Sequence, residues 1–130
     1  MKSFLSRLVG RLDIDSGNTR VGLVTYSSDI GTSFNLSAHS SVASVQSAIS
    51  SLTFSGGGTN TAAALTYVRT RMLISAAGDR NNVPNVVVVL TDGRSSSRTA
   101  TQVCTMWKLT QKHPYFRYYL ELVMSLMGLC

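Results

Sequence analysis

The stretch V-P-N-V-V-V-V-L-T-D-G-R-S, residues 83–95, gives the strongest indication of fold in this chain. Its centre, Val86 to Leu90, is an unbroken run of β-branched and aliphatic residues bounded by Pro84 and Gly93. The run is too short for a buried helix, and it predicts a strand covered on both faces, as in a parallel sheet. We therefore expect an α/β fold built around this strand.

Polar residues end the apolar run at once, in the order Thr91, Asp92, Gly93. In open parallel sheets, ligands bind in the crevice beyond the carboxyl ends of the strands, which makes Asp92 a candidate site residue. Asp and Gly are also ordinary turn residues, so a plain turn is the second interpretation of this dipeptide.

The composition is typical of one globular domain. The chain has 130 residues, of which 44% are hydrophobic and 14% charged, so it can bury a core. The net charge of +6 comes from scattered basic residues, which argues against a nucleic-acid partner. No apolar stretch reaches the length of a membrane span, and the first residues lack the pattern of a secretory signal. Cys104 and Cys130 match neither a disulfide framework nor a metal-binding spacing.

Apolar spacing predicts further elements on both sides of the glycine-rich middle of the chain. Residues 20–26, R-V-G-L-V-T-Y, form a second buried strand, and residues 31–36 can run back as an antiparallel partner. Helical spacing covers residues 4–12, 42–52 and 65–72. In the first helix, the apolar face is predicted to lie opposite Arg7 and Arg11 and to comprise Phe4, Leu5, Leu8, Val9 and Leu12.

Two polar features lie between these elements. Asp13 and Asp15 could form a metal or acid/base pair, but a solvated loop is the favoured interpretation. Asn35 begins the tripeptide N-L-S, which matches the acceptor pattern for N-glycosylation and adds a little weight to an extracellular origin.

The second unusual stretch is F-S-G-G-G-T-N-T, residues 54–61. Its glycines let the backbone turn tightly and approach a ligand closely, just before a predicted helix. No Lys-Ser/Thr pair follows at the spacing of a phosphate-binding P-loop, and no G-x-G-x-x-G motif follows a strand. The alternative to a binding loop is a flexible loop that ends in a threonine helix cap.

The last quarter of the chain has a different character. Residues 103–130 show neither strand alternation nor a capped amphipathic helix, and they contain no β-branched run. We therefore predict no buried strand in this tail and treat it as poorly matched to the preceding domain.

Three motifs together resemble the von Willebrand factor type A domain, most nearly those of collagen-like and matrilin-like extracellular matrix proteins. They are R-V-G-L-V-T-Y-S, G-G-G-T-N-T-A-A-A-L and V-P-N-V-V-V-V-L-T-D-G-R-S, at residues 20–27, 56–65 and 83–95. The resemblance assigns residues 1–102 to a partial domain and leaves 103–130 outside it. It implies a doubly wound, Rossmann-like, mostly parallel sheet with helices on both faces. The first central strand and the last strands of that sheet are expected to be missing here, so the strands flanking the first would lose their neighbour. A replacement strand from the tail is the alternative, which the sequence pattern of the tail does not support.

The family's binding site is a metal-ion-dependent adhesion site made from three segments at the carboxyl edge of the sheet. By the resemblance, Thr59 corresponds to the glycine-loop threonine and Asp92 to the aspartate after the fourth strand, with Gly57, Gly58 and Gly93 beside them in the ligand-binding surface. Mg²⁺ or Mn²⁺ would be the ion, since it prefers hard oxygen ligands. The family's D-x-S-x-S segment is absent from this sequence, so we predict very weak or no metal binding.

The resemblance implies a non-enzymatic adhesion module that binds matrix proteins such as collagen and is secreted as part of a longer parent protein. No catalytic triad is visible, because His39 and His113 lie in dissimilar, loop-like contexts. The alternative is an intracellular scaffold in a multiprotein complex, which the lack of a signal sequence would favour.

Overall fold

The computed structural model describes residues 1–53, 56–91, 96 and 97, and the backbone of residues 120–127. The described elements follow the order helix, two strands, two helices, two strands, and the first six match the order that the sequence predicts. They are α1 (Lys2–Val9), β1 (Thr19–Tyr26), β2 (Ile30–Phe34), α2 (Val42–Ser50), α3 (Thr61–Tyr67), β3 (Asn85–Leu90) and β4 (Leu120–Met127), with a π-helical turn at Val68–Met72 and a 3₁₀ turn at Ser75–Ala77.

The described strands form one sheet in the order β2-β1-β4-β3. β1 pairs with β2 in antiparallel orientation and with β4 in parallel orientation, and β4 also runs parallel to β3. The predicted strands at residues 20–26 and 86–90 and the returning antiparallel strand are confirmed. The α/β class predicted from residues 83–95 is confirmed with them.

The position between β1 and β3 is filled by the C-terminal strand. β4 pairs with β1 over its whole length, from Thr19 opposite Leu120 to Tyr26 opposite Met127. On its other side it pairs with β3, from Asn85 opposite Glu121 to Leu90 opposite Leu126. The prediction that the tail contains no strand is therefore wrong, as is the expectation that the strands flanking the missing one lose their neighbour.

The tail strand escaped prediction because its sequence, L-E-L-V-M-S-L-M, contains a single β-branched residue, Val123. Strand preference depends on the neighbouring strands as much as on the segment itself. The β-branched residues belong to the flanking strands, whose sequences are T-R-V-G-L-V-T-Y and N-V-V-V-V-L. β4 consequently takes the central place that the sequence alone suggested for β3.

The core lies on both sides of β1, since successive side chains of a strand point to opposite faces. Val21 and Leu23 pack in one cluster with residues of α1 and α2, whereas Val24 packs in another with Val68 and Met72. β3 follows the same alternation: Val88 packs against the first cluster and its neighbour Val87 against the second. All β3 residues are only partly buried, as suits the last strand in the described order.

Helix α1 differs in one respect from its predicted apolar face. Leu5 and Val9 are fully buried and face the core, and Leu8 and Leu12 pack partly against it. Phe4, which was predicted on the same face, is 51% exposed. None of the helices in the described residues is long and apolar enough to cross a bilayer.

The amino end of β1 is held at a point where the backbones at Ser37 and Gly78 pack against each other. The Arg20 guanidinium donates a hydrogen bond to the carbonyl of Gly78 at 2.6 Å. Gly78 has a φ of +96°, and a Cβ atom there would lie 2.7 Å from the Ser37 nitrogen. The backbones at Gly78 and Ser37 therefore approach so closely that only glycine fits.

We expect Gly78→Ala to lower the free energy of unfolding by about 3 kcal/mol, because it adds a backbone clash to the cost of a positive φ. Gly17→Ala is the matched control: its φ is +79°, but a Cβ there would meet nothing within 4 Å, so about 1 kcal/mol is expected. Urea denaturation of both variants measures the difference. Equal losses would mean that the clash with Ser37 contributes nothing.

Candidate binding site at the carboxyl edge of the sheet

The carboxyl ends of β1, β4 and β3 lie along the same edge, because these three strands are parallel. After β1 the chain turns through Ser27, Ser28 and Asp29, and the turn is closed by a hydrogen bond from the Ser27 amide to the Asp29 carbonyl at 2.9 Å. Ser27 is buried, whereas Ser28 and Asp29 are exposed. The glycine-rich loop packs against this turn.

Three hydrogen bonds hold the glycine-rich loop, residues 56–60, against this turn. The Gly58 amide donates to the Ser28 hydroxyl oxygen at 2.9 Å, and the Asn60 amide donates to the Ser27 carbonyl at 2.8 Å. The Asn60 side-chain amide donates to the Ser28 carbonyl at 3.3 Å. The loop is therefore fixed to the end of β1 by both backbone and side-chain groups.

Two glycines of this loop, Gly57 and Gly58, pack closely against the Ser28 side chain. Gly57 has a φ of +148°, a conformation that residues with a side chain rarely adopt. A Cβ atom would lie 3.2 Å from the Ser28 hydroxyl oxygen at Gly57 and 3.1 Å from it at Gly58. The backbone at these glycines thus approaches the Ser28 side chain closely, and its close approach to a ligand remains a prediction.

Helix α3 begins directly after the loop, and its cap is Asn60. The Asn60 side-chain oxygen accepts a hydrogen bond from the Ala63 amide at 3.1 Å. The alternative of a threonine cap is therefore wrong: Thr61 is the first residue inside the helix, and its buried hydroxyl lies 3.3 Å from the Tyr26 hydroxyl. This pair connects the start of α3 to the end of β1.

Thr59 joins the glycine-rich loop to the segment after β3. Its carbonyl accepts hydrogen bonds from the Ser96 amide at 2.8 Å and from the Ser96 hydroxyl at 3.1 Å. Within the described part of the chain, the Thr59 hydroxyl makes no hydrogen bond of its own. The structure therefore brings together the carboxyl end of β1, the amino end of α3 and Ser96 in the segment after β3.

Three of the predicted site residues lie at the carboxyl edge of the sheet, in the glycine-rich loop: Gly57, Gly58 and Thr59. Asp92 and Gly93 lie outside the described residues, so their predicted roles remain predictions. Ser28 and Ser96 were missed by the sequence analysis, because single serines in polar turns carry no motif that distinguishes them.

Metal binding needs more donors than the described residues supply. Among those residues, no three His, Cys, Asp or Glu side chains come together in a group that could hold a metal ion. Thr59 and the nearby serines offer neutral oxygens, and the Ser28 hydroxyl already accepts the Gly58 amide. By themselves these groups do not fit Mg²⁺, which prefers a near-octahedral shell that includes carboxylates.

Asp13 and Asp15 are exposed, and both have structural roles. The Asn18 side chain donates to the Asp13 carboxylate, and hydrogen bonds from Ser16 and Asn18 lower the pKa of Asp13. The Asp15 carboxylate accepts a hydrogen bond from the amide of Val42, the first residue of α2, at 3.1 Å. A negative charge at a helix N-terminus is favourable, so these contacts support the loop interpretation.

Asn35, the candidate glycosylation residue, is exposed just after β2. Its carbonyl accepts a hydrogen bond from the Ala38 amide at 3.1 Å, which closes a turn over the N-L-S tripeptide. The exposure leaves the side chain accessible, and modification of Asn35 remains a prediction.

We expect Ser28→Ala to release the glycine-rich loop, because it removes the acceptor of the Gly58 amide. The free energy of unfolding should fall by about 1 kcal/mol, the net worth of one such hydrogen bond, and the Gly58 amide should exchange with solvent faster. Nuclear magnetic resonance hydrogen exchange measures the second effect directly. Ser40→Ala, at another exposed serine, is the control, and unchanged Gly58 exchange in Ser28→Ala would contradict the assignment.

Comparison with known proteins identifies relatives over most of the chain. The family model for the von Willebrand factor type A domain matches residues 1–114. The collagen alpha-4(VI) chain of Mus musculus is 41% identical over 98 residues, which are 74% of this chain and 4% of that protein. Matrilin-1 of Mus musculus is 41% identical over 97 residues, 72% of this chain and 19% of that protein. The chain thus spans less than a fifth of the length of these relatives.

Solved structures show the same fold. Crystal form 2 of proximal thread matrix protein 1 from the mussel byssus superposes with a TM-score of 0.74 at 22% identity, covering 98% of this chain and 32% of that one. A structure of the same mussel protein, described as having a zinc-occupied MIDAS motif, gives a TM-score of 0.71 at 20% identity, with 98% and 32% covered. At this identity the similarity is evidence for the fold alone.

Proposed function

This chain belongs to the von Willebrand factor type A domain family, and on that premise we propose that it is an adhesion module of the extracellular matrix type. Its role is to bind matrix proteins, collagens among them, through the carboxyl edge of its sheet. The observation that carries the proposal is the joining of the glycine-rich loop to the segment after β3 by the hydrogen bonds between Thr59 and Ser96. Relatives that include a collagen chain and a matrilin supply the class of partner.

The contact surface comprises Gly57, Gly58, Thr59, Asp92 and Gly93. Thr59 is suited to a partner because its carbonyl is held by Ser96 while its hydroxyl has no acceptor or donor among the described residues. Asp92 lies in sequence between Thr91, the first residue after β3, and Ser96, whose amide donates a hydrogen bond to the Thr59 carbonyl. This spacing supports a surface shared by the two loops.

The metal contribution to this surface is weak in our proposal. Thr59 and Asp92 are the residues that would hold Mg²⁺ or Mn²⁺, and the ion would supply a positive charge for an acidic group of the partner. Two such ligands fall short of the donor set that a tightly held ion needs. Direct contacts of the loops therefore provide most of the affinity.

The proposed module comprises residues 1–102, which carry the resemblance, together with β4, which occupies the centre of the sheet. We also propose that its helices pack on both faces of the sheet in the doubly wound arrangement, and that the protein is extracellular. The collagen and matrilin relatives favour that location over the intracellular scaffold.

The histidines favour binding over catalysis. The His39 ring packs edge-on against the Phe34 ring, with 4.8 Å between the ring centroids. His113 lies outside the described residues.

The binding proposal predicts that Thr59→Ala and Asp92→Ala each weaken attachment to immobilised collagen about fivefold to tenfold, the loss expected for one interface hydrogen bond. Surface plasmon resonance with the folded chain measures this. Thr70→Ala is the control, because Thr70 is exposed and its hydroxyl donates only to the Thr66 carbonyl. A chelator should change the affinity little.

Two outcomes would contradict the proposal. Collagen binding that survives both substitutions unchanged would remove the carboxyl edge from the contact. Binding abolished by the chelator, together with saturable Mg²⁺ binding in calorimetry, would contradict the weak metal contribution.

A further inference from the structure

Two exposed arginines lie on α1 and on the turn that follows it: Arg7 is in the helix, and Arg11 is two residues beyond its end. Arg7 and Arg11 are exposed and make no hydrogen bond or ion pair with the described residues. Among the other cations in the described part of the chain, Lys2 donates to the Ser50 carbonyl and Arg20 to the Gly78 carbonyl, whereas Arg71 is exposed and, like Arg7 and Arg11, makes no hydrogen bond with the described residues. Arg7 and Arg11 are therefore available for an external anion.

The two arginines line the same groove, although Arg11 lies beyond the end of α1 at Val9. Like charges on one small surface repel each other. The nearest acidic residues in sequence, Asp13 and Asp15, are already engaged, with Asn18 and the Val42 amide respectively. An anion bound between the two guanidinium groups would relieve this repulsion.

The two arginines also border an apolar groove. A groove of about 320 Å³ is lined by Phe4, Arg7, Leu8 and Arg11. Phe4 is 51% exposed, while Leu8 lies partly buried against the core cluster. The volume is at the low end for ligand pockets, so it suits one or two side chains of a partner better than a large rigid surface.

We propose that the surface formed by Phe4, Arg7, Leu8 and Arg11, on α1 and the turn after it, is a docking site for an acidic protein segment that carries an aromatic or aliphatic side chain. The carboxylates pair with Arg7 and Arg11, whose planar guanidinium groups suit bidentate contact with a carboxylate. The apolar side chain enters the groove and covers Phe4 and Leu8. The net charge of +6 assists the approach of an acidic segment.

A purely ionic partner fits this surface less well. A sulfated polysaccharide would satisfy the arginines but would leave the exposed ring of Phe4 without an apolar contact. Burying that ring contributes a favourable free energy that depends on the partner having an apolar group. The combination of charge and apolar area therefore favours the peptide.

The test uses the full chain and a fluorescein-labelled probe peptide, Glu-Asp-Glu-Phe-Glu-Asp-Leu-Glu, followed by fluorescence anisotropy. Arg7→Gln and Arg11→Gln should each weaken binding about threefold to fivefold, and Phe4→Ala about fivefold. The matched controls are Arg71→Gln, which removes the same charge from another exposed site, and Ile74→Ala, which shortens the other large exposed hydrophobic residue described. Neither control should change the affinity.

Three results would overturn the proposal. The first is no binding of the probe by the folded chain at low salt. The second is equal weakening by Arg71→Gln and Arg7→Gln, which would indicate general attraction to a positive protein. The third is equally tight binding of an all-glutamate peptide or of heparin with the same dependence on Arg7 and Arg11, which would remove the apolar part of the recognition. Circular dichroism confirms that each variant is folded, and both arginines are exposed in the structure.

Discussion

The insertion of β4 between β1 and β3 is the constraint on which the rest of this structure depends. β1 and β3 make no ladder with each other, and each uses one side to pair with β4. A buried strand without its neighbour would leave a row of backbone N–H and C=O groups unpaired. Each unpaired group costs free energy, and the net stability of a small domain is too low to offset several of them. The C-terminal strand therefore determines whether the two core clusters on either side of β1 can exist together.

The carboxyl edge follows from the same insertion. Because β1, β4 and β3 are parallel, the turn after β1 and the segment after β3 emerge on one side of the sheet. The glycine-rich loop then bridges them, with Ser28 holding its glycines and Ser96 holding Thr59. The hydrogen bonds between Thr59 and Ser96 depend on this alignment, because Thr59 is held near the end of β1 and Ser96 follows β3 in the chain. The proposed matrix-binding surface is thus a consequence of strand order as much as of the loop sequence.

The sequence predicted the elements with strong periodic patterns and missed those defined by tertiary contacts. The strands at residues 86–90 and 20–26 were recognisable because apolar runs of that length, rich in β-branched residues, are too short for a buried helix and indicate strands. β4 was missed because its preference for the strand conformation comes from the strands on either side. The glycines at 57 and 58 were recognised as positions where the backbone can approach a ligand closely. Their contact with Ser28, about thirty residues away in sequence, could be found only from the fold. Phe4 matched the helical period of α1 but lies at the edge of the buried face, where period alone does not decide exposure.

Backbone hydrogen exchange on residues 120–127 of the full chain tests the central claim most directly. A strand paired on both sides exchanges only through large-scale unfolding, so the amides of β4 should be as slow as those of β1, residues 19–26. Exchange of the β4 amides at the rate of an unstructured peptide, while β1 stays protected, would contradict the account, because the sheet would then be held together without its central strand.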